Sequence, residues 1–307
     1  MKKVKEYFSI LKDTANEFME DKGLKLSAAL SYYTIFALAP MLLVMISALS
    51  IFVSPETIQG ELFEQIQGLV GVQAAEQLQE ILKNAQRSDR SGLAAAIGVG
   101  TLIIGATGVF AEMQDSINLI WSIRVKPKKG WLKYLKTRLI SFSLILTLGF
   151  LLIVSLAVNA MVELLSSRLE VYFSEVSVVV FYILNLAIVW TIITTLFAVI
   201  FKVLPDAHLR WKECIIGAGF TGVLFLIGKF AIGYYLGSSD LGATYGTSAS
   251  IIILLSWVYY TAIILYFGAE FTKVYAKYDG ASITPTENAV LIEDREVVVS
   301  KGKPLQA

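Results

Sequence analysis

The sequence predicts an all-α membrane protein with six transmembrane helices. Short amphipathic helices are expected at the N-terminus and in the first outer loop. Three observations predict this. Apolar residues make up 56% of the chain and charged residues 17%, with a mean hydropathy of +0.66. A soluble domain has roughly 45–50% apolar and about 25% charged residues. Of 26 basic and 25 acidic residues, only Lys229 falls inside six long apolar segments. Those segments are continuous rather than alternating, which excludes a β-barrel. One cysteine, Cys214, excludes an intrachain disulfide, and one histidine, His208, excludes the paired-histidine zinc motif.

Residues 1–29 form the first unit, a cytoplasmic amphipathic helix. Val4, Tyr7, Phe8, Leu11, Ala15 and Phe18 fall on one face at helical spacing, opposite Lys5, Lys12, Asp13 and Glu20. Two readings stand for it: a helix lying on the inner membrane surface, or a short helix packed on cytoplasmic loops. Residues 30–278 form the transmembrane domain. Its spans are 30–53, 93–111, 139–162, 176–201, 214–236 and 247–269, each close to or above the ~20 residues that cross a bilayer core. Pro40 is tolerable in the first span and predicts a kink. Ala37-Leu38-Ala39 resembles a signal-peptidase site, but the leader before it carries five acids and apolar sequence continues to Val53. The first span is therefore expected as an uncleaved helix. Residues 279–307 are polar and contain Pro285 and Pro304, so a mobile cytoplasmic tail is expected.

Lys and Arg set the orientation. The N-terminus, the loops 112–138 and 202–213 and the tail from 270 hold 21 of them, while the opposite loops hold four. The basic side is cytoplasmic, so both termini are expected there. In the loop 112–138, Trp131 and Tyr134 stand between basic residues and suit the headgroup layer; topogenic charge alone explains the run equally well. The only long outer loop, 54–92, opens with Ser54-Pro55, a helix-start signal. It then carries Leu62, Ile66 and Leu69, followed by Leu78, Ile81 and Leu82, at helical spacing. No internal repeat is evident.

Polar groups at membrane depth are the candidate functional residues. In the second span Ala94, Gly98, Thr101, Gly105 and Gly108 make a face of small residues that runs toward Glu112 and Asp115. Close helix packing explains it, as would a conduit. In the fifth span Ala218, Gly222, Phe225, Lys229 and Gly233 share a face. Lys229 lies about 10 Å below the outer end at 1.5 Å per residue. It either snorkels or faces a polar cavity. Asn185 and Asn159 lie toward the outer half and could join it in one polar layer suited to an anionic solute or lipid headgroup. A second candidate cluster, at the cytoplasmic helix ends, comprises Tyr32, Tyr33, Glu112, Asp115, Asn118, Asp206 and Glu270; simple solvation of border carboxylates is its alternative.

Four stretches, LSAALSYYTIFALAP (26–40), MQDSINLIWSIR (113–124), FKVLPDAHLRWKECIIGA (201–218) and YGTSASIIILLSWVYYTAIILYFGAE (245–270), occur in this order. The chain resembles the YihY/virulence-factor-BrkB family of bacterial inner-membrane proteins over roughly residues 10–278. The residues that carry the resemblance are Ser31, Tyr32, Tyr33, Pro40, Leu204, Pro205, Asp206, Trp211, Trp257, Tyr259, Tyr260, Gly268, Ala269 and Glu270. The resemblance implies an inner-membrane protein. Family members are described as transporters or cell-envelope factors, and some were formerly labelled ribonuclease BN. The residues argue against a nuclease, because a single histidine cannot supply a metal-ligand cluster. Gly217, Gly219 and Gly222 match a dinucleotide-binding spacing, but inside a membrane span with no preceding strand.

The sequence therefore points to a transporter or lipid-handling membrane protein with a polar intramembrane site. A non-transporting envelope-assembly scaffold is the alternative. No enzyme activity, cofactor, metal or nucleic-acid partner is expected, and membrane lipids are.

Overall fold

A computed structural model of the chain describes residues 2–49, short stretches between 54 and 83, and residues 108–126, 176–238 and 249–293. Its elements in order are helices α1 (Lys2–Glu20) and α2 (Gly23–Leu49), α3 (residues 108–120) and strand β1 (Ile123–Val125). Helix α4 (Val176–Val203), strand β2 (Ala207–His208), and helices α5 (Trp211–Ser238) and α6 (Ala249–Tyr278) follow. Strands β3 (Thr284–Pro285) and β4 (Ala289–Leu291) close the described chain.

The chain turns sharply between α1 and α2. Lys22 takes a left-handed φ of 57°, and Gly23 follows because a Cβ there would overlap the Phe18 ring. Helix α2 then begins seven residues before the expected span and continues without interruption through Pro40. In it, Ser27, Ser31 and Thr34 donate their hydroxyls to the carbonyls of Gly23, Ser27 and Leu30, each four residues back.

Three helices among the described residues are long and apolar enough to cross a membrane, over Leu186–Val203, Trp211–Ile232 and Ile252–Tyr278. Helices α4 and α5 have 28 residues and α6 has 30, so each exceeds the ~30 Å hydrocarbon thickness. Burial on α5 is inverted relative to a soluble helix. Small and polar residues such as Gly217, Ala218 and Thr221 face the protein, while Ile215, Val223, Ile227 and Phe230 face outward. A helix surrounded by lipid sorts this way, because hydrocarbon rewards no apolar burial and small residues let backbones approach.

Helices α5 and α6 meet antiparallel through a reciprocal lock. A Cβ on Gly217 would overlap Thr272, and one on Gly268 would overlap Thr221. Each threonine donates its hydroxyl to the carbonyl four residues back, Thr221 to Gly217 at 2.7 Å and Thr272 to Gly268 at 2.7 Å. Phe220 stacks on Phe271 at 3.9 Å between ring centres. The two contacting segments read GAGFTGV (217–223) and GAEFTKV (268–274), identical at five of seven positions. The chain therefore does contain a short repeat, used twice around a local two-fold relation. The glycine triplet 217, 219 and 222 is a packing surface: Gly222 also receives Thr194 and Trp190 of α4.

One end of the bundle is capped by polar structure. Strand β1 pairs antiparallel with β4, Arg124 opposite Val290, and β2 pairs with β3, His208 opposite Thr284. Thr286 N–H donates to the Asp206 carbonyl at 3.0 Å and Ile292 N–H to the Ser122 carbonyl at 2.8 Å. Residues 284–291, expected within a mobile tail, are therefore paired to the loops that follow α3 and α4, because those short strands satisfy loop backbone that helices cannot. Helix α1 packs on the end of α6 through Phe18 edge-on to Phe267 at 5.5 Å and through Ile10 against Phe271 and Val274. The spans expected at 93–111 (save 108–111) and 139–162, and most of the loop 54–92, lie outside the described residues.

Candidate functional site

The cytoplasmic-side cluster expected from sequence divides into separate groups. The first centres on Asp206, placed by the Leu204-Pro205 turn after α4. Its Oδ2 accepts hydrogen bonds from Gln114 Nε2 at 2.8 Å and Asn118 Nδ2 at 3.0 Å, and its backbone N–H donates to Asn118 Oδ1 at 2.8 Å. With its carbonyl taken by Thr286, Asp206 clasps α3, the α4–α5 turn and the strand pair together. Gln114 belongs to this group and was not anticipated. On α3, Glu112 lies one turn from Asp115 and 3.5 Å from the Ser116 hydroxyl. Burial and then the Asp115 charge push the Glu112 carboxyl above its ordinary value, with Ser116 opposing.

The second group centres on a residue missed from sequence, Lys273. Its ammonium lies 2.6 Å from Glu270 Oε1, 2.9 Å from Glu17 Oε2 and 3.0 Å from Asp21 Oδ2. It also donates to the Ile120 carbonyl at 2.7 Å, and the side chain is only 8% exposed. Beside it Trp121 Nε1 donates to the Ala269 carbonyl at 3.0 Å. Lys277 adds a second cation on Glu17 at 3.1 Å, and Tyr278 donates to Asp13 at 2.6 Å. This hub ties α1, the end of α3 and α6 into one unit. Glu270 is fully buried within it, so the border-solvation reading does not hold for that residue. Hydropathy ends the expected span at Ala269, which leaves both Glu270 and Lys273 outside it and hides their pairing one turn apart.

Tyr32 and Tyr33 point outward; Tyr32 is 63% exposed and packs on Phe36 at 4.9 Å. Tyr33 lies beside Gly108, at the start of α3. Lys229 sits on α5, half-buried, next to Gly228, whose missing Cβ makes room for the Tyr260 hydroxyl. Among the described residues it makes no ion pair or hydrogen bond. Asn185 lies in α4, with its side chain outside the described residues, and Asn159 lies outside them altogether, so the expected polar layer of Lys229, Asn185 and Asn159 falls outside the described residues.

Several of the residues that carry the family resemblance make identifiable contacts. Trp211 lies under the Lys202 ammonium at 5.7 Å, Trp257 packs edge-on to Phe225 at 5.7 Å, and Tyr260, Gly268 and Glu270 fill the α5–α6 lock and the lysine hub. Long apolar helices, inverted burial and a polar cap define an α-helical membrane protein. A family model described as Virulence factor BrkB matches residues 14–291, and the chain belongs to that family. It is 28% identical over 269 residues to a UPF0761 membrane protein of Stenotrophomonas maltophilia strain K279a, covering 86% of this chain and 60% of that one. It is 26% identical over 311 residues to a UPF0761 membrane protein of Aliivibrio salmonicida, covering 96% and 93%. An Aeromonas salmonicida UPF0761 membrane protein is 26% identical, covering 86% and 88%. The chain spans about 60% of the length of several relatives it matches. No solved structure matches.

Proposed function

We propose that the protein is a transporter or lipid-handling protein of the bacterial inner membrane, with both termini cytoplasmic. It binds an anionic solute or lipid headgroup at a polar intramembrane site around Lys229. Binding or translocation, not catalysis, is the proposed activity. The observation that carries this reading is a half-buried lysine on a membrane helix with no ion pair among the described residues. A lysine near the helix centre costs ~2.5–3.5 kcal/mol to insert, and such residues usually serve a substrate path. The excess of Lys and Arg on one side, 21 against four, supports the orientation.

The test is the thermal midpoint of the purified protein in nanodiscs, with and without phosphate, dicarboxylates and anionic lipid. A rise in the wild type that is lost in Lys229→Met and partly kept in Lys229→Arg supports the site. Equal midpoints for wild type and Lys229→Met in every anion would favour the envelope scaffold. Reporter fusions at residues 128, 208 and 285 should read cytoplasmic and those at 70 and 240 external; an external signal at 128 would overturn the orientation.

A further inference from the structure

Helix α1 carries two faces that do different jobs. One is taken: Ile10, Thr14 and Phe18 are buried, and Asp13, Glu17 and Asp21 reach Tyr278, Lys273 and Lys277. The other is bare. Phe8 is 71% exposed and Met19 61%, with Tyr7, Leu11 and Ala15 also exposed. Phe8, Leu11, Ala15 and Met19 follow one another at three- and four-residue steps, so they form one stripe.

From Glu6 on, the charges of α1 sort with the two faces. At 100° per residue, Glu6, Asp13, Glu17 and Glu20 fall on the half turned toward or beside α6, whereas Lys12 borders the bare stripe; Asp21 and the exposed Lys22 follow at the turn beyond the helix end. An apolar stripe bordered by lysine, with the acids on the other side, complements a surface of anionic headgroups over acyl chains. Helix α1 also lies at the end of a membrane span and leads into an outward-facing surface of α2. Phe18 reaches Phe267 within the Ile252–Tyr278 span, and α2 continues after the turn with Leu24, Ala28, Tyr32 and Phe36 exposed at four-residue steps.

We infer that α1 is a membrane-surface helix, clamped to α6 by its acidic side and seated on anionic lipid by the stripe Phe8, Leu11, Ala15 and Met19. It forms a lipid-contact site separate from Lys229, and it does not depend on what Lys229 binds.

The test uses the full chain in vesicles of phosphatidylcholine with phosphatidylglycerol. Phe8→Cys, Leu11→Cys, Ala15→Cys and Met19→Cys, and the controls Glu6→Cys and Glu20→Cys, each carry a fluorophore; native Cys214 is fully buried. Lipid-borne nitroxide should quench the four stripe positions severalfold more than the two controls, and aqueous iodide should do the reverse. Omitting phosphatidylglycerol, or the double change Lys12→Glu with Lys22→Glu, should reduce nitroxide quenching at 11 and 15. These exposed lysines make no ion pair or side-chain hydrogen bond with the clamp residues, so the fold should survive. Equal iodide quenching at all six positions would overturn the inference. So would short label-to-label distances between two copies at positions 8 and 15, which would make the stripe a dimer contact.

Discussion

Two lysines on neighbouring helices meet opposite fates. Lys273 is enclosed by three carboxylates and a carbonyl, while Lys229, forty-four positions earlier, has no ion partner among the described residues. Lys273 is 8% exposed and Lys229 is half-buried. The first cation is held by charges that need it in return, so its place is explained by the fold. The second has no such partner among the described residues, and an ammonium on a membrane helix points by default to function. Substitution at the two sites should therefore produce opposite results.

The largest effect belongs to Lys273→Met. Glu270, Glu17 and Asp21 would be left around an apolar side chain, and removing one partner from a buried ion pair costs about 3–5 kcal/mol. The thermal midpoint in detergent should fall steeply. Adding Glu270→Gln should recover part of the loss, because the most buried of the stranded charges is then gone. No recovery would mean the hub acts through packing alone.

Next comes the α5–α6 lock. Gly217→Val drives a side chain into Thr272, and overpacking of this kind costs about 1–3 kcal/mol. Thr272→Ala in the same chain should recover part of the loss, because the hydroxyl and methyl go while the Cβ contact stays. If Gly217→Val alone is neutral, the helices do not approach at this point.

The lock illustrates what sequence reading could reach. The long apolar helices were legible because every residue contributes to hydropathy, and Asp206 and Asn118 were legible as polar groups at helix ends. GAGFTGV and GAEFTKV were also in plain view, but a seven-residue match has no weight until two helices bring it face to face. Lys273 was hidden for a different reason. Two of its partners, Glu17 and Asp21, lie over 250 positions away, and no local pattern joins them. On α1 the periodicity found an apolar face from Val4 to Phe18 without deciding what it touches. The protein-facing residues are Ile10, Thr14 and Phe18, one strip to the side. Strands of two or three residues at 284–291 fall below any alternation that sequence can display.

A smaller effect should come from acid. Burial alone would raise the Glu17 carboxyl, but hydrogen bonds and charge from Lys273 and Lys277 outweigh it and hold the group below its ordinary 4.5. A carboxylate depressed in the folded state adds stability above its unfolded value and loses it as pH falls through the folded one. The α1 clamp should therefore hold at neutral pH and loosen below 4.5. A label at Asn16, exposed on α1, should gain mobility over that range. Glu17→Gln should flatten the dependence, and an unchanged profile in that variant would remove Glu17 as its source. The effect is modest because Glu17 is partly exposed and its charge is screened.

The smallest effect on stability, and the sharpest contrast with Lys273, is expected from Lys229→Met. Methionine keeps the length and removes the charge, so no carboxylate is stranded and the insertion cost of the ammonium disappears. The midpoint without added anion should stay level or rise. Lys229→Arg keeps the cation on a planar, more weakly hydrated head, so a charge requirement and a geometry requirement separate: a site that needs only charge tolerates arginine, and one that needs the compact ammonium does not. A large fall in midpoint for Lys229→Met would assign Lys229 a structural partner outside the described residues. It would then stand beside Lys273 as a cation the fold requires, and the case for an anion site around it would be lost.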